Sequence, residues 1–165
     1  MKEIEDFNPS VLFERIPRLE GQLIQLVTND PNLTELSLTS SNIGDSSNIG
    51  DNEAKIIALA LRGNTSLKRL LLTNNQIGNE GVIALENALK GNASLKYLIL
   101  SENNIRDNGA IGLANAFDGN TSLQYLSIEK NQYGDNGTQA LNNVYVIQRN
   151  QQLNHPPRRS GCTVS

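Results

Sequence analysis

An α/β fold, built as a solenoid of near-identical strand–helix units, is the architecture encoded by this chain of 165 residues. Three observations point to it. An eleven-residue block recurs at a fixed step of 28 residues. Within the block, apolar residues alternate as in a half-buried strand. Between blocks, they recur at the three- and four-residue spacing of a helix face.

Residues 1–32 read as an N-terminal helical cap. Asn8 and Pro9 fit an N-cap and first helical position, Pro17 and Gly21 interrupt the segment, and a helix is expected near Gln22 to Thr28. Residues 33–151 form the repeat domain. Leu67-Lys-Arg-Leu70-Leu-Leu72-Thr-Asn-Asn75-Gln-Ile77 returns as Leu95 to Ile105 and as Leu123 to Tyr133. An earlier copy begins at Leu33, which is 34 residues before Leu67. The six extra residues have a visible origin: Ser40 to Asp45 is followed at once by an identical Ser46 to Asp51. The duplication is expected to lengthen a convex-side loop, where insertion costs little.

In each block the residues at 70 and 72 point inward, while 69, 71 and 73 point outward. Asn75, Asn103 and Asn131 stand where the chain turns out of the strand, and an amide there can satisfy turning backbone. Helices are expected over Asn52 to Leu61, Glu80 to Lys90, Asn108 to Phe117 and Asn136 to about Asn150. Their core positions keep the period: Ile57, Leu85, Leu113 and Leu141; Ala60, Ala88, Ala116 and Val144; Leu61, Leu89, Phe117 and Tyr145. Gly63, Gly91 and Gly119 read as left-handed C-terminal caps. Ile147 takes that slot in the fourth unit, so the last helix is expected to run on and close the array.

These motifs resemble the ribonuclease-inhibitor-like class of leucine-rich repeats over roughly Leu26 to Asn150. The resemblance implies a short right-handed horseshoe, with a parallel sheet on the concave face and helices on the convex face. It does not imply one function, since such folds serve many partners.

Composition narrows the function. A net charge of −3 argues against a nucleic-acid binder that works by neutralising phosphate. The chain start lacks an apolar stretch of the kind that secretory signals need, so a reducing compartment is expected. Cys162 and His155 are single copies, which leaves no disulfide framework and no zinc site, and no metal or cofactor is expected. No phosphate-binding loop, nucleophile elbow or His-Glu-x-x-His motif occurs, so the chain reads as a non-enzyme. Asp45, Asp51, Asp107 and Asp135 fall at or near helix starts, where capping accounts for them. The duplicated loop lacks the ligand spacing of a calcium loop, because Ile49 falls where an oxygen is needed. The Asn-x-Ser/Thr sites at Asn32, Asn64, Asn92 and Asn120 follow the repeat register, with a fifth at Asn136. Register, rather than glycosylation, explains them.

Stacked strands line their outward residues in columns. The first is Glu35, Arg69, Tyr97 and Tyr125, the second Ser37, Leu71, Ile99 and Ser127, the third Thr39, Thr73, Ser101 and Glu129. Tyrosine and arginine dominate interface hot spots, and Leu71 and Ile99 are apolar without a core to fill. Arg69, Leu71, Tyr97, Ile99, Tyr125, Ser127 and Glu129 are therefore the expected binding patch for a protein partner on a monomeric chain. Glu102 and Lys130 read as a solvated rim at the strand exits.

Residues 152–165 read as a basic tail without apolar periodicity. Its last four residues, Cys162-Thr-Val-Ser165, match a farnesylation signal, and Arg158 and Arg159 add charge for an anionic leaflet. The expectation is a covalent farnesyl group on Cys162 and a place on the cytosolic face of a eukaryotic or host membrane, or the cytoplasm if unmodified. A compact repeat domain with such a tail resembles leucine-rich-repeat effectors of intracellular bacterial pathogens. Two other resemblances are shorter. Leu26-Val-Thr-Asn29-Asp30-Pro31-Asn-Leu33-Thr34-Glu35-Leu36 is similar to the first repeat of the tropomodulin group, which implies a soluble cytoskeletal regulator. Pro9-Ser-Val-Leu12-Phe-Glu-Arg-Ile16 resembles an F-box opening, which implies a substrate adaptor in ubiquitin ligation.

Overall fold

The computed structural model describes the backbone of residues 20–40 and 48–154, and the side chains of 21–40 and 48–148. Asn8, Pro9, Pro17, Asp45, Arg158, Arg159 and Cys162 lie outside the described residues. Helices and strands alternate: α1 (Glu20–Val27), β1 (Glu35–Ser37), α2 (Asp51–Gly63), β2 (Arg69–Leu71), α3 (Asn79–Leu89), β3 (Tyr97–Ile99), α4 (Asp107–Gly119), β4 (Tyr125–Ser127) and α5 (Asp135–Asn154). The strands form one parallel sheet in sequence order, with Leu36, Leu70, Leu98 and Leu126 in register. Consecutive helices pack side by side. The protein is an α/β solenoid, as the period requires.

One core runs the length of the stack, from Leu23 and Leu26 of α1 to Leu141 and Val144 of α5. The alternation within each block explains its sheet side: Leu36, Leu70 and Leu98 are fully buried while their strand neighbours face out. Each such leucine contributes about 2 kcal/mol relative to an exposed one. Ile49 is buried in the slot that Ile77 and Ile105 fill one and two units later. The second copy of the duplicated hexapeptide therefore keeps the register. The insertion leaves between Ser40 and Asn48, whose side chains bond at 2.6 Å. Residues 41–47, and with them the expected lengthening of a convex-side loop, lie outside the described residues.

Three polar ladders tie each unit to its neighbours. In the first, Asn75 accepts the Ile49 N–H at 2.9 Å and donates to the carbonyls of Leu38 and Leu72, at 2.8 and 3.1 Å. Asn103 repeats this with Ile77, Leu72 and Leu100, and Asn131 with Ile105, Leu100 and Ile128. The second ladder closes the helices. Asn64, Asn92 and Asn120 each accept the N–H groups two and three residues ahead. Each also donates back to the preceding unit, Asn92 to Leu61 O at 2.8 Å and Asn64 O at 2.9 Å. These amides sit in three of the glycosylation-like sites, and their buried bonding is the structural reason for the recurrence.

This ladder corrects the reading of Gly63, Gly91 and Gly119. None of them has left-handed backbone; Gly63 and Gly119 are the last residues of their helices, and Asn64 and Asn120 stop the helix in extended conformation. Among the described residues, the left-handed ones are Asn29, Asn74, Glu102 and Lys130, with φ of 54 to 59°. The last three recur just beyond the strands. There Asn74 and Glu102 donate their N–H groups to Ser101 O and Glu129 O of the next unit.

The third ladder caps the helix starts, but not as expected. Asp51 stands at the start of α2, yet its Oδ1 accepts the N–H groups of Gly78 and Gly81 at the start of α3, at 2.7 and 2.9 Å. Asn79 does the same for Arg106 and Gly109 of α4, and Asp107 for Gly134 and Gly137 of α5. Each residue caps the following helix rather than its own. Among the described residues no such side chain reaches the start of α2, and there Glu53 accepts the Gly50 N–H of its own helix at 2.9 Å. Later units carry Gly81, Gly109 and Gly137 at the position of Glu53, where a Cβ would stand within 2.9 Å of the incoming cap.

The helix bounds differ from expectation by one or two residues at most ends, because these caps lie outside the apolar pattern. The last helix does run on, to Asn154. Two of its side chains close the stack. Gln148 is buried and donates to Leu126 O of β4 at 3.0 Å, a carbonyl with no following strand to receive it. Tyr145, expected in the core, is 36% exposed, since no further unit among the described residues covers it. Partial burial, then a hydrogen bond with Tyr133, raises its pKa above the ordinary tyrosine value.

Candidate protein-interaction surface

The strand register fixes which outward side chains meet. Glu35 stands beside Arg69, Arg69 beside Tyr97, and Tyr97 beside Tyr125. Their side chains form one continuous strip. Arg69 Nε lies 3.0 Å from Glu35 Oε2, and both groups are about half-exposed. The Arg69 guanidinium sits 5.3 Å from the centre of the Tyr97 ring, within cation–π range. The Tyr97 and Tyr125 rings are 6.3 Å apart and tilted by 40°. This spacing lies within the favourable range for aromatic pairs, so each ring helps to hold the other.

The strip is pre-organised at little cost. The salt bridge is worth little by itself at this exposure, but it and the ring contacts reduce the number of rotamers that Arg69 and Tyr97 must give up on binding. Tyr97 is 36% exposed and Tyr125 half-buried. Leu71 and Ile99 of the second column are half-buried beside them, and Glu129 is exposed at the far edge.

Ser127 is a correction. At 8% exposure it is buried, and its hydroxyl is 2.8 Å from that of Ser101. It lies on the last strand, the one to which α5 is pinned through Gln148, so it is not displayed. On the rim, Lys130 Nζ bonds Glu102 Oε1 at 2.6 Å, which raises the lysine pKa.

Beside the two tyrosines opens a groove of about 910 Å³, which the columns did not foretell. Phe117, Asp118 and Leu123, around the turn from α4 to β4, line it together with Ile147 and Gln148 of α5. It exists because α5, the helix of the fourth repeat, continues past the point where earlier helices end. The signal in the sequence was Ile147 in the glycine slot, which told of a longer helix but not of the space beneath it.

No group of three or more His, Cys, Asp or Glu residues among the described residues is placed to hold a metal ion. No helix among them is long and apolar enough to cross a membrane.

The Leucine Rich repeat family matches residues 29–47, 63–85, 91–114 and 119–141, more than half of the chain. No curated protein sequence matches it. Among solved structures, leiomodin-1 actin-binding site 2 superimposes with a TM-score of 0.64 at 19% identity, over 82% of this chain and 92% of that one. The tropomodulin C-terminal domain of Caenorhabditis elegans does so with a TM-score of 0.50 at 15% identity, over 82% and 98%. At these identities the likeness is one of fold. With four matched segments, each carrying one strand of a parallel sheet in unbroken register, the chain belongs to the leucine-rich-repeat family.

Proposed function

We infer that this protein is a non-catalytic interaction module that docks a protein partner on its concave face. The observation that carries the reading is the strip Glu35–Arg69–Tyr97–Tyr125, in which the exposed Tyr97 ring is braced by a cation and by the half-buried Tyr125 ring and flanked by Leu71 and Ile99. Rings of this kind give large contact area for little rotamer entropy.

Immobilised full-length protein should capture its partner from eukaryotic lysate, and Tyr97→Ala with Tyr125→Ala should weaken that capture by about a hundredfold or more. Circular dichroism and the unfolding midpoint should hardly change, because neither ring is in the core. Undiminished capture by the double variant would move the site off this face.

A second reading takes the partner to be actin. The fold shared with leiomodin-1 actin-binding site 2, together with the tropomodulin-like Leu26 to Leu36 segment, favours it. Actin among the captured proteins, lost with the two tyrosines, would select that reading.

The finer reading adds an anchor. Where Ser165 is the last residue of the mature chain, Cys162 takes a farnesyl group, and Arg158 and Arg159 hold the tail to an anionic leaflet. One lipid chain gives reversible attachment, which suits a module that recruits a partner to a host or eukaryotic membrane, as a bacterial effector would. Cys162→Ser should shift a tagged protein from the membrane fraction to the cytosol; an unchanged fraction would remove the anchor.

A further inference from the structure

We propose that the groove beside Tyr97 and Tyr125 is a docking site for this chain's own segment Pro156–Arg159, which competes there with the external partner. The proposal rests on the reading of the tyrosine strip as a binding surface and assigns its regulation.

Size points to a peptide. Three residues on each of four strands cover about 14 by 10 Å, a few hundred Å² at most, whereas a globular partner covers roughly 800 Å². The groove adjoins the strip at Tyr97 and Tyr125, and the α4–β4 turn and α5 complete its lining. An extended segment fits such a trough.

The chemistry of the lining selects the segment. Two tyrosine rings stand over an apolar floor to which Phe117, Leu123 and Ile147 contribute. Aromatic-lined grooves take proline-rich segments, whose extended conformation is set in advance by the proline ring. At the lip, Asp118 is exposed and has no ion-pair partner among the described residues, and it suits an arginine. Pro156-Pro157-Arg158-Arg159 carries both features side by side.

The reach is right as well. α5 passes the groove at Ile147 and Gln148 and continues to Asn154. Those six residues carry the chain about 9 Å beyond Gln148, and about three extended residues bring it back. Arg158 then falls level with the groove. So short a tether holds the segment at a local concentration in the millimolar range, so weak affinity suffices to fill the site.

The single cysteine supplies the test. A nitroxide on Cys162 of the full-length, unprenylated protein should at least halve the amide signals of Asp118, Gln124 and Tyr125 relative to the ascorbate-reduced sample. Arg158→Glu with Arg159→Glu should restore them, and adding Asp118→Lys to that pair should bring the loss back. Unaffected groove signals in the labelled wild type would overturn the proposal. So would broadening that disappears on dilution, since it would place the tail on a second copy. Partner capture is scored separately: capture without broadening sinks only the tail docking, and broadening without capture sinks only the external partner.

Discussion

Replacing Asn103 with leucine should cost about 3–5 kcal/mol of folding stability. The amide accepts the Ile77 N–H at 3.0 Å and donates to Leu72 O at 2.9 Å and Leu100 O at 3.0 Å. Leucine has a similar volume, so the substitution leaves little cavity. It strands one N–H and as many as two carbonyls away from water, each worth about 1–3 kcal/mol when fully orphaned. The carbonyls retain a second lone pair and the turn can relax, which keeps the sum below the maximum. Urea unfolding monitored by circular dichroism reads the loss. Because Asn103 joins two units, the transition should also broaden as the stack separates into weakly coupled parts. The exposed neighbour is the control: Asn104→Leu should change stability by less than about 0.5 kcal/mol. A loss under about 1 kcal/mol at Asn103 would show that the ladder is not what joins the units.

Gly109→Val should be nearly as damaging, at about 3–4 kcal/mol, and its partner experiment has the opposite sign. A Cβ at Gly109 would meet Asn79 Oδ1 at 2.7 Å and Ile105 Cγ2 at 2.8 Å. The substitution overpacks the contact between α3 and α4, at about 1–3 kcal/mol, and expels the cap of α4, at about 0.5–2 kcal/mol. Gly119 is a different kind of glycine. Nothing lies within 4 Å of its would-be Cβ, and its backbone is not left-handed. Gly119→Ala should therefore stabilise the protein by about 0.4–1 kcal/mol, because alanine has less unfolded-state entropy to lose. Were Gly119 a left-handed cap, the same change would destabilise. Thermal unfolding of the two variants separates the possibilities by sign, with no reliance on magnitude.

The tyrosine strip was legible in the sequence to the extent that geometry is periodic. A two-residue alternation says which side chains face out, and a 28-residue step says which of them share a column. That placed Arg69, Tyr97 and Tyr125 side by side. It did not show that Arg69 reaches both Glu35 and the Tyr97 ring, since this depends on rotamers. It failed for Ser127, where outward direction did not mean exposure. The groove was illegible for the same reason, because its walls come from the α4–β4 turn and from a helix whose path no repeat precedes.

By itself, then, the chain determined its strand–helix alternation, its core and the identity of its columns, because apolar burial repeats with the geometry of each element. Only the tertiary structure decided what the polar residues do. Asp51 and Asp107 look like caps for the helices they begin, yet they serve the next ones. Gly63 and Gly119 look like helix terminators, yet Asn64 and Asn120 do that work across the unit boundary. A hydrogen bond forms with whatever group lies within about 3 Å, and in a solenoid that group belongs to a residue some 28 positions away.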